Sequence, residues 1–158
     1  MTKYAIVFFM SMVPIVELRG AIPYSQIYNL PLLQSFIVAI IGNMLPMPFI
    51  YLFARKVLVW GADKPITGKF FTWCLEKGEK AGKKLQEKTG KKGLFWGLLI
   101  FVAIPAPGTG AWTGTLAASL LDMDFKTSIL AVMLGVLVAG IIMGTASVGL
   151  FSFFKIKL

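Results

Sequence analysis

From Pro31 to Ala54 this chain runs about 24 residues without a charged side chain, and that stretch constrains its fold more than any other feature. At 1.5 Å per residue, a helix of this length reaches across the roughly 30 Å hydrocarbon core of a bilayer. Lipid offers no water to backbone N–H and C=O groups, so a helix is the form the segment must take. Gly42, Asn43, Pro46 and Pro48 lie within it and predict a kink or a locally opened backbone. A second stretch, Phe125 to Phe154, is about 30 residues with one charge near its start, enough to span with tilt. Gly135, Gly140, Gly144 and Gly149 give it a face for close helix packing. Composition agrees: 57% of residues are hydrophobic, against about 45 to 50% in soluble domains.

Two shorter apolar pieces reach only part of the way across. Tyr4 to Val16 is about 13 residues, and it runs into Glu17-Leu18-Arg19-Gly20-Ala21-Ile22-Pro23, where a charged pair, a permissive glycine and a helix-interrupting proline meet at membrane depth. With Pro14, Glu17 and Arg19 inside it and no small-residue cleavage site, this stretch reads as mature protein rather than a signal peptide. Leu94 to Ile104 is the second short piece, followed by Pro105-Ala106-Pro107-Gly108-Thr109-Gly110-Ala111-Trp112-Thr113-Gly114-Thr115, too rich in Pro and Gly for a helix interior.

The order short piece, broken turn, short return, brief linker and long span occurs twice. Gly20 matches Gly110 at an offset of 90 and Gly42 matches Gly135 at 93, which requires a three-residue insertion. Paired, interrupted hydrophobic segments in two halves point to a transporter site near the midplane. Between the halves, Arg55 to Lys92 holds eleven Lys and Arg against four Asp and Glu. The positive-inside rule places that connector in the cytoplasm. Phe70, Cys74, Ala81 and Leu85 recur near helical spacing and Trp60, Trp73 and Phe71 suit headgroup depth, as in an interfacial helix; Gly78, Gly82, Gly90 and Gly93 fit a flexible loop instead.

The predicted architecture is an all-α integral membrane protein, one membrane domain over 1–158. It has two inverted repeats (1–54 and 94–158), each a re-entrant helical hairpin followed by a transmembrane helix, joined by a basic amphipathic connector (55–93). Four full spans with both termini in the cytoplasm is the alternative, and Lys155 and Lys157 fit it.

Glu17 and Arg19 are the ionisable residues inside the apolar segments, and each costs at least about 2.5 to 3.5 kcal/mol at the bilayer centre if unpaired. In a functional reading, Glu17 binds protons and Arg19 grips an anionic headgroup; in a structural one, the two neutralise each other or cap broken helices. The turns at 20–23 and 105–114 expose N–H groups at half-helix N-termini, an anion cradle to which Thr109, Thr113, Thr115 and Asn43 add donors. Small residues that merely permit tight helix contact explain them equally well, and Trp112 reads first as packing. The chain has no His and one cysteine, Cys74, so a zinc site, a His-dependent triad and an intrachain disulfide are excluded; no cofactor and no enzyme activity are expected. Lysines beside a membrane serve orientation and anionic lipid rather than nucleic acid.

Pro14-Ile15-Val16-Glu17-Leu18-Arg19-Gly20-Ala21-Ile22-Pro23 and Ala103-Ile104-Pro105-Ala106-Pro107-Gly108-Thr109-Gly110-Ala111-Trp112-Thr113-Gly114 resemble the two signatures of the putative small multi-drug export protein family. That family is similar to the DedA superfamily, and the likeness implies two re-entrant hairpins, inverted repeats and movement of lipids such as polyprenyl phosphates. Glu17 and Pro23 match the acid and proline of the first DedA hairpin, and Pro105 with Gly108 its second proline turn. The two arginines that DedA proteins carry around the second turn are missing here, where Val102 and Thr109 stand nearby.

The expectation is therefore a multi-pass transporter of the cytoplasmic membrane that moves an anionic lipid, with proton coupling through Glu17. Proton-coupled efflux of small hydrophobic drugs and a non-transporting scaffold are the alternatives. The expected site comprises Glu17, Arg19, Gly20, Pro23, Asn43, Pro105, Pro107, Gly108, Thr109, Gly110, Trp112 and Thr113. So few spans also predict a homo-oligomer, since a short chain needs a partner to enclose a pathway.

Overall fold

Pro46 divides the first long apolar stretch. The computed structural model describes residues 2–65, 68–106 and 108–155, all helix and connecting turn. It places α3 at Leu32–Met44 and α4 at Met47–Ala62, with Pro46 as the N-cap of α4. Together, Leu32–Ala62 form a 31-residue apolar element long enough to cross a membrane. Leu33, Ile37, Ile41, Leu45, Phe49 and Phe53 follow one another every four residues along it, each 47 to 70% exposed. Water would penalise such a stripe, whereas acyl chains are as apolar as the side chains they would meet. The opposite face of α3 is small or polar, with Ser35, Ala39, Gly42 and Asn43 buried. The second span is α7 (Phe125–Lys155), of which Phe125–Leu150 is long and apolar enough to cross.

The remaining helices are shorter: α1 (Thr2–Met12), α2 (Glu17–Ile27) and α6 (Ala111–Leu120) have 11, 11 and 10 residues. Each is about 15 to 17 Å long, roughly half a bilayer core. Between α4 and α6 lies α5 (Gly68–Ala103), bent at Gly90, whose φ of +68° is open to glycine without strain. The bend separates a surface arm, 68–89, from an inner arm, 91–103. Of the two readings of the connector, the structure has the helix, and α4 runs on past Arg55 and Lys56 to Ala62.

The surface arm is fastened to the bundle. Arg55 of α4 forms ion pairs with Glu79 of the arm, at 3.1 Å, and with Asp122 of the α6–α7 turn. Gly78 and Gly82 bring the arm onto that same turn, where a Cβ at Gly78 would lie 2.5 Å from the carbonyl oxygen of Leu120. Tyr51 of α4 donates its hydroxyl to the carbonyl of Met123, and its own carbonyl accepts from Ser119 at 3.1 Å. Asp124 then caps α7: its carboxylate accepts the N–H and the hydroxyl of Thr127, both at 3.0 Å, and these bonds hold it below the usual carboxylate range.

Helix packing is reciprocal. The pair α1 and α2 packs on α3, and the inner arm of α5 with α6 packs on α7; crosswise, α2 lies against α7 and α6 against α4. Buried Val7, Leu18, Ile22, Met47, Val102 and Val132 join one core. Because lipid is itself apolar, that core contributes shape fit and dispersion rather than transfer out of water.

One turn occurs twice, 93 residues apart. After α2, Leu30 N–H donates to Ser25 and Asn29 N–H to Gln26; after α6, Met123 N–H donates to Ala118 and Asp122 N–H to Ser119. Asn29 and Asp122 hold the left-handed position of this Schellman-type cap at φ +53° and +56°. The same offset relates buried Ser35 to Ser128 and Gly42 to Gly135. A Cβ on Gly42 would lie 2.5 Å from the Phe8 carbonyl of α1, and one on Gly135 2.8 Å from the Leu99 carbonyl of α5. The offset of 90 inferred from Gly20 and Gly110 is therefore corrected. Gly20 lies inside α2, Gly110 is the N-cap of α6, and at 93 residues Gly110 corresponds to Glu17 and Trp112 to Arg19.

Candidate functional site

The turn between α1 and α2 is tightly drawn. Ile15 and Glu17 both have positive φ, +78° and +49°, a conformation that costs an L-residue about 1 to 2 kcal/mol. Glu17 opens α2, is 5% exposed, and reaches into the other half of the molecule. Its carboxylate accepts the N–H of Ala111 at 3.3 Å and of Trp112 at 3.1 Å, the first N–H groups of α6. An anion here satisfies two unpaired donors and complements the positive end of the helix dipole. Gly110 is extended, so its φ asks for no glycine; space does, because a Cβ would run into the Glu17 carboxylate.

Arg19, one helical half-turn on, works at the opposite kind of helix end. One terminal nitrogen donates to the carbonyls of Ala106, at 2.5 Å, and Thr109; the other donates to Ile104 at 2.8 Å, Val102 at 3.3 Å and the Thr109 hydroxyl at 3.1 Å. These carbonyls close the inner arm of α5 and line the turn that follows, where Gly108 takes φ +82°. The guanidinium thus neutralises the negative end of one half-helix while Glu17 neutralises the positive end of the next. Among the described residues the two side chains form no ion pair with each other.

Trp112 completes the set, donating its Nε1–H to the carbonyl of Met12, the last residue of α1, at 3.1 Å. Three side chains therefore cap three half-helix ends, each across the boundary between the halves. Asn43, at the end of α3 and 1% exposed, joins Glu17 and Arg19 around a cavity of about 10 Å³, and its Oδ1 has no hydrogen-bond partner.

Of the residues proposed from sequence, Glu17, Arg19, Asn43, Thr109, Gly110 and Trp112 come together. Pro105 and Gly108 shape the turn beside them, and Pro107 lies outside the described residues. Gly20 and Pro23 sit within α2, where Gly20 leaves room for the side chain of Val16. Thr113 turns back to the carbonyl of Gly110 at 3.4 Å. The anion cradle expected at a half-helix N-terminus exists, but the anion it holds is the protein's own carboxylate. The fork expected to grip a headgroup grips backbone carbonyls. The sequence reading missed the acceptors at 102–106 and the indole bond to α1, neither of which carries a signal in residue type.

Two long apolar elements, lipid-ready outer faces and a charged clasp between half-length helices define a small all-helical membrane protein. The chain belongs to the family described as Putative small multi-drug export protein, whose model matches residues 17–142. No curated protein and no solved structure matches it.

Proposed function

We propose that this protein is a proton-coupled transporter of the cytoplasmic membrane that exports small lipophilic compounds, with Glu17 as the coupling carboxylate. Helices of 10 or 11 residues fall short of a bilayer core, so each short pair is read as a re-entrant hairpin beside one full span. Each half then crosses once, and halves that share a turn 93 residues apart stand inverted to each other, with the lysine-rich arm in the cytoplasm.

The observation that carries the reading is the position of Glu17. It belongs to the first hairpin, is buried, and holds the first N–H groups of the second. Adding a proton removes the charge that the N-terminus of α6 attracts, so proton binding and the closeness of the hairpins are linked. A carrier that alternates between faces needs such a link.

Two features favour a small apolar cargo over a lipid headgroup. Both terminal nitrogens of Arg19 are engaged by the backbone, which leaves the DedA-like lipid reading without its anion fork. An apolar recess of about 200 Å³ between α5 and α6, lined by Leu94, Leu98, Phe101, Ala117 and Leu121, suits a small lipophilic molecule. The family description agrees with this choice.

Proteoliposomes with an imposed pH gradient test the proposal. Ethidium should move faster than in protein-free liposomes, and Glu17→Gln should return it to that background while remaining folded and inserted. Equal rates for the unmodified protein and Glu17→Gln would remove Glu17 from the mechanism. Flipping of a labelled polyprenyl phosphate with no ethidium movement would restore the lipid reading.

A further inference from the structure

The cavity beneath the clasp is lined by Glu17, Arg19 and Asn43 on its polar side and by Leu18, Val102 and Val136 among its apolar walls. At about 10 Å³ it is far too small for a transported compound, yet it meets the lower limit for one water molecule. A buried amide oxygen with no partner is costly, so an unpaired Asn43 Oδ1 in the packed junction of the two halves calls for an explanation.

Hydrogen-bond inventory supplies one. Asn43 Oδ1 is an acceptor, and an ionised carboxylate is an acceptor with about four lone-pair sites, of which the N–H groups of Ala111 and Trp112 occupy two. Two acceptor-bearing residues that line one small space suit a molecule with two donors. Water provides them. A metal cation fits less well, because Glu17 and Asn43 offer few oxygens and the third polar wall is a guanidinium.

We propose that Glu17 and Asn43 together hold one water molecule, which makes this cavity the proton-receiving position of the transporter. With Glu17 ionised, the water donates one O–H to the carboxylate and the other to Asn43 Oδ1. When a proton arrives, the carboxylate becomes a carboxylic acid whose O–H donates to the water oxygen, and the water keeps its bond to Asn43. The Glu17 carboxyl group and Asn43 Oδ1 thus keep a hydrogen-bond partner in both states, and the one bond given up on protonation is the water O–H that had faced the carboxylate. Among the described residues, the charged side chains lining the cavity are Glu17 and Arg19 of the same helix; α3 contributes Asn43, α5 Val102, α6 Ala111 and α7 Val136 and Ala139.

This inference rests on the proton-coupled reading, and its test is independent of transport. Infrared difference spectra, protonated minus deprotonated, are taken on the full-length protein in lipid, with the Glu17 carbonyl band assigned by its absence in Glu17→Gln. The expected spectrum also contains a water O–H band that shifts in H₂¹⁸O. In Asn43→Leu, which fills the space and removes the acceptor, that band should vanish and the Glu17 carbonyl stretch should rise in frequency, as for an acid that has lost its hydrogen-bond acceptor. Asn43→Asp, which keeps an acceptor, should retain the water band, and it serves as the comparison if Asn43→Leu does not fold. Absence of any isotope-sensitive band in the unmodified protein, or an unchanged Glu17 carbonyl in folded Asn43→Leu, would overturn the proposal. A water band with no ethidium transport would leave this site standing and sink the transporter reading instead.

Discussion

Arg19 and Trp112 stand 93 residues apart at equivalent places in the two halves, and each reaches across to close the first short helix of the other half. They do so with unequal strength. Arg19 gives two nitrogens to four carbonyls and a hydroxyl, whereas Trp112 gives one N–H to the carbonyl of Met12. The difference follows the turns they face. The turn after α5 gathers the carbonyls of Val102, Ile104, Ala106 and Thr109, and although the N–H groups of Ala106 and Thr109 reach two of them, the cluster suits a multidentate cation. The turn after α1 is shorter, and Glu17 N–H already bonds back to the carbonyl of Val13. Positions 93 residues apart thus carry residues suited to the number of carbonyls each turn presents, and the residue types need not match.

The largest test of that asymmetry is Arg19→Ala, which takes the guanidinium from four carbonyls and leaves those of Ile104 and Ala106 only the Thr109 hydroxyl and backbone N–H groups. A loss of about 3 kcal/mol is expected, read as a lower thermal unfolding midpoint in detergent. Arg19→Lys should recover part of it, since an ammonium restores the charge but not the fork. Equal stability of the unmodified protein and the alanine variant would show that the clasp does not hold the halves together.

Trp112→Phe keeps an aromatic ring and removes one hydrogen bond, so about 1 kcal/mol should be lost in the same measurement. A loss as large as that of Arg19→Ala would mean that the two clasps are equivalent after all. The smallest contrast lies in the paired serines of the long spans. Ser128 Oγ bonds to the carbonyl of Asp124 at 2.8 Å, whereas Ser35 Oγ is buried without a partner. Ser128→Ala should cost about 0.5 kcal/mol, and Ser35→Ala should be neutral or slightly stabilising. The reverse order of unfolding midpoints would contradict the hydrogen-bond assignment at these two sites.

Much of the architecture could be read in the sequence because it depends on what lipid permits. The charge-free run at 31–54, the glycine-bearing run after Phe125 and the second Pro/Gly break appear as helices and a turn near the expected places, whereas the first break falls at 13–16 and the expected 17–23 is helix, with Pro23 in its interior. The register between the halves could not be read from residue identity. Gly20 and Gly110 look alike, but one is a helix interior and the other a cap whose size is fixed by a carboxylate from the opposite half. Asn29 and Asp122 look different, yet they share a left-handed backbone that both residue types tolerate. Apart from the Thr109 hydroxyl, the partners of Glu17 and Arg19 were hidden for the same reason: they are main-chain groups, identical at every position until the fold decides which of them come within reach.

Because the clasp runs between halves, it also imposes an order on assembly. Glu17 and Arg19 find their acceptors and donors 83 to 95 residues further along the chain. At ribosomal rates of about 5 to 20 residues per second, the first hairpin is made roughly 5 to 20 seconds before those groups exist. Through that interval its carboxylate and guanidinium have nothing across the boundary to bind. The junction between the halves can therefore close only once residues 102–112 have been made.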